Sequence, residues 1–369
     1  MRVEYNGMPS FGNFDGVYER TNDFQPAHSS NTCDCWKKIK TAPNDEDYVI
    51  TNDGSSWIII KNNVCPTLTL PFNYPLGTIA NSSNCDPSTV NGMTAITEFP
   101  SELAVYYGYP SLINGSNSNI ADAVEVYSNY DIVIFPQDVE LEEHPEHENA
   151  EDIIQALQTG GNSTQVFGYI DLGTIQGLAQ LTLAQINTRI AAWNNMGVAG
   201  IFFDDVELGF GVDRARMNAA IDEAHILGLP VMVNGNIPDE IFSATYGAVS
   251  MQQGDWYMVE SFHIRNGDYY TNDTEDQDLT FVINKYSTTA GYSLQYGVNV
   301  AAITTSDYND TDGDGITDDY TNEKMSHAWW LAVFYGFDTF GWGEPDYSAS
   351  GQSNTLLPFR TRPTLNLNP

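Results

Sequence analysis

From Glu102 onward the chain alternates short apolar runs with amphipathic stretches, and this alternation limits its fold more than any other feature. Eight runs read as strands: LAVYYGYP (103–110), DIVIFPQD (131–138), QVFGYIDLG (165–173), VAGIFFDDVE (198–207), PVMVNGN (230–236), WYMVESF (256–262), VNVAAITT (298–305) and DTFGWGE (338–344). Between them lie stretches with helical spacing, such as 181–197 and 212–229, each closed by a glycine. Strands separated by helices imply parallel pairing, because a parallel neighbour is reached only by a crossover. Eight such units in roughly 245 residues match the size of a (β/α)8 barrel. A doubly wound open sheet calls instead for a glycine-rich phosphate loop after its first strand, and YYGYPSLING (106–115) matches that poorly. The expected fold class is therefore α/β, a (β/α)8 TIM barrel over residues 96–345, preceded by a small β-rich domain and followed by an extended tail over 346–369.

Residues 1–95 carry strand-like runs (GVYER, YVITND, SSWIIIKNN, PTLTLPF) separated by Asn, Gly, Pro and Asp, with no helical period. They read as an attachment or carbohydrate-binding module, joined to the barrel by the turn-rich stretch 77–94. Cys33, Cys35, Cys65 and Cys85 all fall in it. An even, clustered set suggests one or two disulfides in an oxidising setting, with free thiols as the alternative. A four-thiolate metal site fits less well, since a single residue separates Cys33 from Cys35.

Hydrophobic residues make up 41% and charged residues 17%, so the chain has material for a packed core. Fourteen Lys and Arg face 49 Asp and Glu, a net charge of −35. Such a surface repels a phosphate backbone and an anionic membrane, which argues against nucleic acid and lipid partners. It suits cations or a cationic polymer, and equally a salty habitat. The longest apolar stretch, AWWLAVFYGF (328–337), is too short to span a bilayer. The first residues lack the apolar segment of a secretory signal. An extracellular location then implies a removed signal, and a virion-surface location implies release by lysis.

In a barrel of this kind the active site lies where strands end and βα loops begin. Those ends are acidic here. They supply Tyr107 and Tyr109 (strand 1), Tyr169 and Asp171 (strand 3), Asp204, Asp205 and Glu207 (strand 4), Asn234 (strand 5), Glu260 (strand 6), and Trp342 and Glu344 (strand 8). Glycosidic cleavage needs one carboxyl group that holds a proton for the leaving oxygen and another that meets an oxocarbenium-like centre, with an aromatic floor under the sugar. Asp204 and Asp205 are expected as nucleophile or stabiliser and Glu260 as general acid. The other strand-end residues are expected to bind substrate.

QVFGYIDLGT, followed by a helix and then WNNMGVAGIFFDDVELGFGV, resembles the spherulin-4-like glycoside hydrolases and the endo-α-1,4-polygalactosaminidases. Tyr106-Tyr107-Gly108-Tyr109-Pro110 is similar to their first-strand motif, and Met258-Val259-Glu260 to their sixth-strand glutamate. The resemblance covers roughly residues 102–345. It implies hydrolysis of a polysaccharide, with amino-sugar polymers of the galactosamine type as substrates, and makes Asp204 the family aspartate and Glu260 its distant partner. Asp205 stands where the spherulin-like pattern has glutamate, and Phe135-Pro136-Gln137-Asp138 replaces its second-strand motif. A mouth that kept its shape without turnover would read the same way. The alternative is therefore a structural or receptor-binding fibre protein of a virion, gripping surface glycans and contacting other virion or appendage subunits through its N-terminal module. No Gly-x-Ser-x-Gly elbow supports an esterase.

Oxygen-bearing residues alternate in Asp310-Thr311-Asp312-Gly313-Asp314-Gly315-Ile316-Thr317-Asp318, with glycine sixth, as in the opening of a calcium loop. Asp310, Asp312, Asp314, Asp318 and the Ile316 carbonyl are the expected ligands of a structural Ca2+, with a solvated acidic loop as the alternative. No organic cofactor is expected. The run Glu142 to Glu148, with His144 and His147, reads as an exposed helix start rather than a metal site. His263 reads as a packed histidine.

Overall fold

The computed structural model describes seven strands within residues 1–99, and beyond them residues 100–159, 163–175, 180–270, 279–306 and 320–343. The chain divides into two units whose sequence boundary lies between Phe99 and Pro100.

The first unit contains β1 (Arg2–Tyr5), β2 (Gly16–Thr21), β3 (Cys35–Lys38), β4 (Tyr48–Asn52), β5 (Ser56–Lys61), β6 (Pro75–Asn81) and β7 (Met93–Ile96). They form one antiparallel sheet in the order β6-β5-β4-β3-β2-β1-β7. Most neighbours in the sheet are neighbours in sequence, while β7 returns to β1 with Arg2 opposite Ile96. Strands β6 and β7 fall in or across the stretch expected as a linker, a correction to that reading. β7 is only four residues long, and β6 begins at a proline and carries Gly77, so neither shows a clear period. The run PTLTLPF lies outside the described residues.

In the second unit β8 (Ser101–Val105), β9 (Ile132–Phe135), β10 (Gln165–Asp171), β11 (Gly200–Asp204), β12 (Val231–Asn234), β13 (Trp256–Val259), β16 (Asn299–Ile303) and β17 (Thr339–Gly341) close into a parallel barrel. A two-stranded hairpin, β14 (Ile264–Arg265) with β15 (Asp268–Tyr269), interrupts the series. The helices are α1 (Ile120–Tyr127), α2 (His147–Thr159), α3 (Leu183–Met196), α4 (Arg214–Ile226), α5 (Pro238–Phe242), α6 (Leu279–Tyr296) and α7 (Asn322–Tyr335). This is a (β/α)8 TIM barrel; seven of its strands lie inside the expected apolar runs, and β8 starts two residues before its run and ends at Val105.

Inward-facing residues fill the barrel: Leu103, Val105, Ile132, Ile134, Phe167, Phe202, Met232, Met258, Ala301 and Ile303 are all buried. Local signals set the helix ends. Thr182 and Gln185 form a reciprocal capping box at the start of α3, and Gly197 ends it at φ 83°. Trp193 of α3 lies flat over Gly168 of β10, where an added Cβ would come 2.2 Å from the ring, and its indole N–H donates to the Tyr169 carbonyl at 3.2 Å. Close approach at Gly168 thus fixes α3 to the strand that carries Tyr169 and Asp171. Among the described residues no helix is long and apolar enough to cross a membrane.

Candidate active site

Parallel strands deliver their C-terminal ends to one rim. Asp171 of β10 pairs in register with Asp204 of β11, Asn234 closes β12, and Glu260 follows β13 directly. The residue after each central carboxylate has a left-handed backbone, Asp205 at φ 58° and Ser261 at φ 54°. Such conformations are uncommon for side-chain-bearing residues, and they turn the chain sharply where the two acids leave their strands.

Asn234 links the acids. Its Nδ2 donates to Asp204 Oδ1 at 3.1 Å and to Glu260 Oε2 at 2.9 Å. Two further donors converge on Asp204, the Tyr169 hydroxyl on Oδ2 at 2.8 Å and the Asp205 amide on Oδ1 at 2.9 Å. Burial first, and the charge of Glu260 second, push the Asp204 carboxyl up to about 7 against these donors. Asp205 also rises to about 7, through burial and then the charge of Asp204, and it hydrogen-bonds the Asp171 carboxyl. Asp171 is buried, and its Oδ1 accepts from the Gly173 amide at 2.6 Å. Glu207 accepts from the Asn236 amide at 2.9 Å.

A cavity of about 650 Å3 opens over these groups, lined by Asp204, Asp205, Glu207, Asn234 and Glu260. Its remaining wall comes from residues that strand-end reasoning missed: Phe210, Arg265, Tyr270, Phe281, Lys285 and Tyr286. Lys285 had a signal, being the one charged residue in the 18-residue sequence of α6. Burial pulls its ammonium down to about 8, although Glu260 and Glu207 act the other way.

The other expected residues are distributed less evenly. Tyr107 packs edge-on against Tyr169 at 5.2 Å, and burial followed by the charges of Asp204, Glu260 and Asp205 raises its hydroxyl well above the ordinary range. Tyr109 is 44% exposed and meets His144 at 5.6 Å, away from the cavity lining. Trp342 is buried edge-on against Tyr320 and is absent from the lining, so the aromatic residues of the cavity are Phe210, Tyr270, Phe281 and Tyr286. His263 is buried among Phe262, Tyr286 and Tyr335, and burial drives it down to about 3. Helix α2 starts at His147, and Glu146 before it is buried and accepts from the Ser111 amide at 2.9 Å, so that helix start is less exposed than expected. Glu344, the calcium-loop residues Asp310, Asp312, Asp314, Ile316 and Asp318, and Cys33, Cys65 and Cys85 lie outside the described residues, while Cys35 opens β3. Among the described residues no cluster of three or more His, Cys, Asp or Glu side chains is arranged to hold a metal.

No protein-family model and no curated protein matches the chain. Solved TIM barrels do. The glycoside hydrolase domain of PelA from Pseudomonas aeruginosa is 17% identical over 66% of this chain and 95% of its own, with a TM-score of 0.39. The HpcH/HpaI aldolase from Desulfitobacterium hafniense DCB-2 is 11% identical over 66% of this chain and 86% of its own, with a TM-score of 0.37. Haloferax volcanii malate synthase, solved as a lead(II) complex, is 13% identical over 75% of this chain and 78% of its own, with a TM-score of 0.39.

Proposed function

We propose that the barrel is a polysaccharide-degrading glycoside hydrolase of the spherulin-4-like type, acting through Asp204 and Glu260. The observation that carries this reading is the Asn234 amide shared by the two carboxyl groups. The hydrogens of one amide diverge, so acceptors at 3.1 and 2.9 Å sit roughly 5 Å apart. That separation is too short to place a water between them, as inversion requires at about 6.5–9.5 Å, and it suits a covalent intermediate with retained configuration.

The roles follow from the donors. Both oxygens of Asp204 are already occupied by hydrogen-bond donors, which holds it immobile as the nucleophile. Among the described residues Glu260 accepts only from Asn234, on Oε2, which leaves Oε1 open to the leaving oxygen and suits Glu260 to the general-acid role. Because burial and mutual repulsion push Asp204 up to about 7, the pair holds one proton below that pH, as an acid and nucleophile couple must. Phe210, Tyr270 and Phe281 offer the sugar a stacking surface.

The test is incubation with a panel of amino-sugar, acidic and neutral polysaccharides, followed by mass spectrometry of released fragments. Wild-type protein is expected to release oligosaccharides, while Asp204→Asn binds the same polymer and releases none. Binding without cleavage across the panel would transfer the protein to the virion-fibre reading, with the N-terminal sheet as its attachment module.

A further inference from the structure

The carboxylates of the cavity answer to hydrolysis; its cations do not. Lys285 belongs to α6 and Arg265 to the hairpin strand β14, and both line the cavity beside Tyr270. Lys285 is only 7% exposed. Its ammonium feels the charges of Glu260 and Glu207, yet among the described residues no carboxylate oxygen comes within 4.0 Å of it and no hydrogen bond reaches it. A buried ammonium carries a large desolvation cost that a direct partner normally offsets. Among the described residues, therefore, nothing receives the three donors of this ammonium beside the cavity it lines. The Ser261 and Thr305 hydroxyls, which also line this wall, hydrogen-bond each other at 3.2 Å.

We propose that the cavity receives a saccharide bearing an anionic substituent, and that Lys285 and Arg265 hold that anion. The proposal rests on the glycan reading above and names the substrate class for that site. A carboxylate, sulfate or phosphate substituent would accept charge-assisted hydrogen bonds from the ammonium and the guanidinium together. The acidic loop after β11, with Asp205 and Glu207, faces the same cavity, so the ring next to the anionic group is neutral or cationic. A repeat that combines an acidic sugar with an amino or neutral sugar fits both sets of charges.

The first experiment follows acylation of Lys285 in the full chain by mass spectrometry near pH 8, with galacturonate, inorganic sulfate, inorganic phosphate or galactose added. The anions are expected to slow acylation about tenfold, in proportion to their occupancy, and galactose to leave it unchanged. Protection by galacturonate alone assigns a carboxylate, whereas protection by sulfate or phosphate alone assigns the corresponding ester. Equal acylation under all conditions overturns the proposal. The second experiment compares calorimetric binding of galacturonate and galactose oligosaccharides of equal length. Wild-type protein and Lys285→Arg should prefer the acidic chain by about tenfold or more, and Lys285→Met should lose that preference. A preference that survives Lys285→Met overturns the proposal too. Anion protection of Lys285 combined with failure to bind or cleave any glycan would instead sink the glycosidase reading and leave the anion site standing.

Discussion

At the scale of single residues, the site is governed by how two carboxyl groups divide one proton. Asp204 ordinarily ionises near 3.8 and here does so at about 7, with burial as the first cause and Glu260 as the second. A carboxyl raised by folding binds its proton more tightly in the native state, so stability falls as pH rises between those two values. Asp204→Asn should therefore match wild type in urea below about pH 4 and exceed it above about pH 7, with the gap opening in between. A gap that does not change with pH would show that Asp204 is not raised. Glu260→Gln removes the second cause, so the same window should shift to lower pH, which carboxyl NMR of Asp204 would read directly. The loss of the last shared proton also predicts that hydrolysis declines as pH passes about 7.

At the scale of elements, glycines decide which helix and strand can touch. A Cβ on Gly200 of β11 would meet the Phe167 ring at 2.4 Å and the Pro230 carbonyl oxygen at 2.7 Å, and the backbone atom cannot move aside. Gly200→Ala should cost about 1–3 kcal/mol in urea unfolding. Gly291, exposed on α6 with nothing within 4 Å, is the control: Gly291→Ala should stabilise by about 0.5–1 kcal/mol. Equal effects at the two positions would contradict the packing account. The same distinction explains what could be read in advance. The barrel strands were legible because strands buried on both faces are continuous apolar runs, and Asp171, Asp204, Asn234 and Glu260 were legible as the polar residues that end them. Arg265, Tyr270 and Phe281 were not, because a hairpin and a helix start carry them over the rim, and only the tertiary path of those segments brings them there. Trp342 misled for the opposite reason: it ends a strand, as a sugar platform would, yet packs against Tyr320.

At the scale of the whole molecule, a net charge of −35 makes self-repulsion a standing load on the folded state. Screening has a range of about 10 Å at 0.1 M salt, so neutral salt should raise the melting temperature gradually and without regard to the cation's identity. A calcium loop at Asp310, Asp312, Asp314, the Ile316 carbonyl and Asp318 would respond differently. Ca2+ accepts about six to eight oxygen ligands in a flexible geometry, so these five groups completed by water or neighbouring groups would suit it, whereas the smaller, strictly octahedral Mg2+ would fit poorly. At matched ionic strength, calcium at a hundred times its dissociation constant should add about 2.7 kcal/mol to the stability of whichever unit holds the loop. Magnesium should add only what sodium chloride adds. Replacing Asp312 and Asp314 together by asparagine should remove the calcium increment and leave the salt response intact, since two charges are a small part of the total. The check is a set of melting curves in calcium, magnesium and sodium chloride at one ionic strength. Coincident curves in calcium and magnesium would identify the segment as a solvated acidic loop whose only contribution is to the overall repulsion.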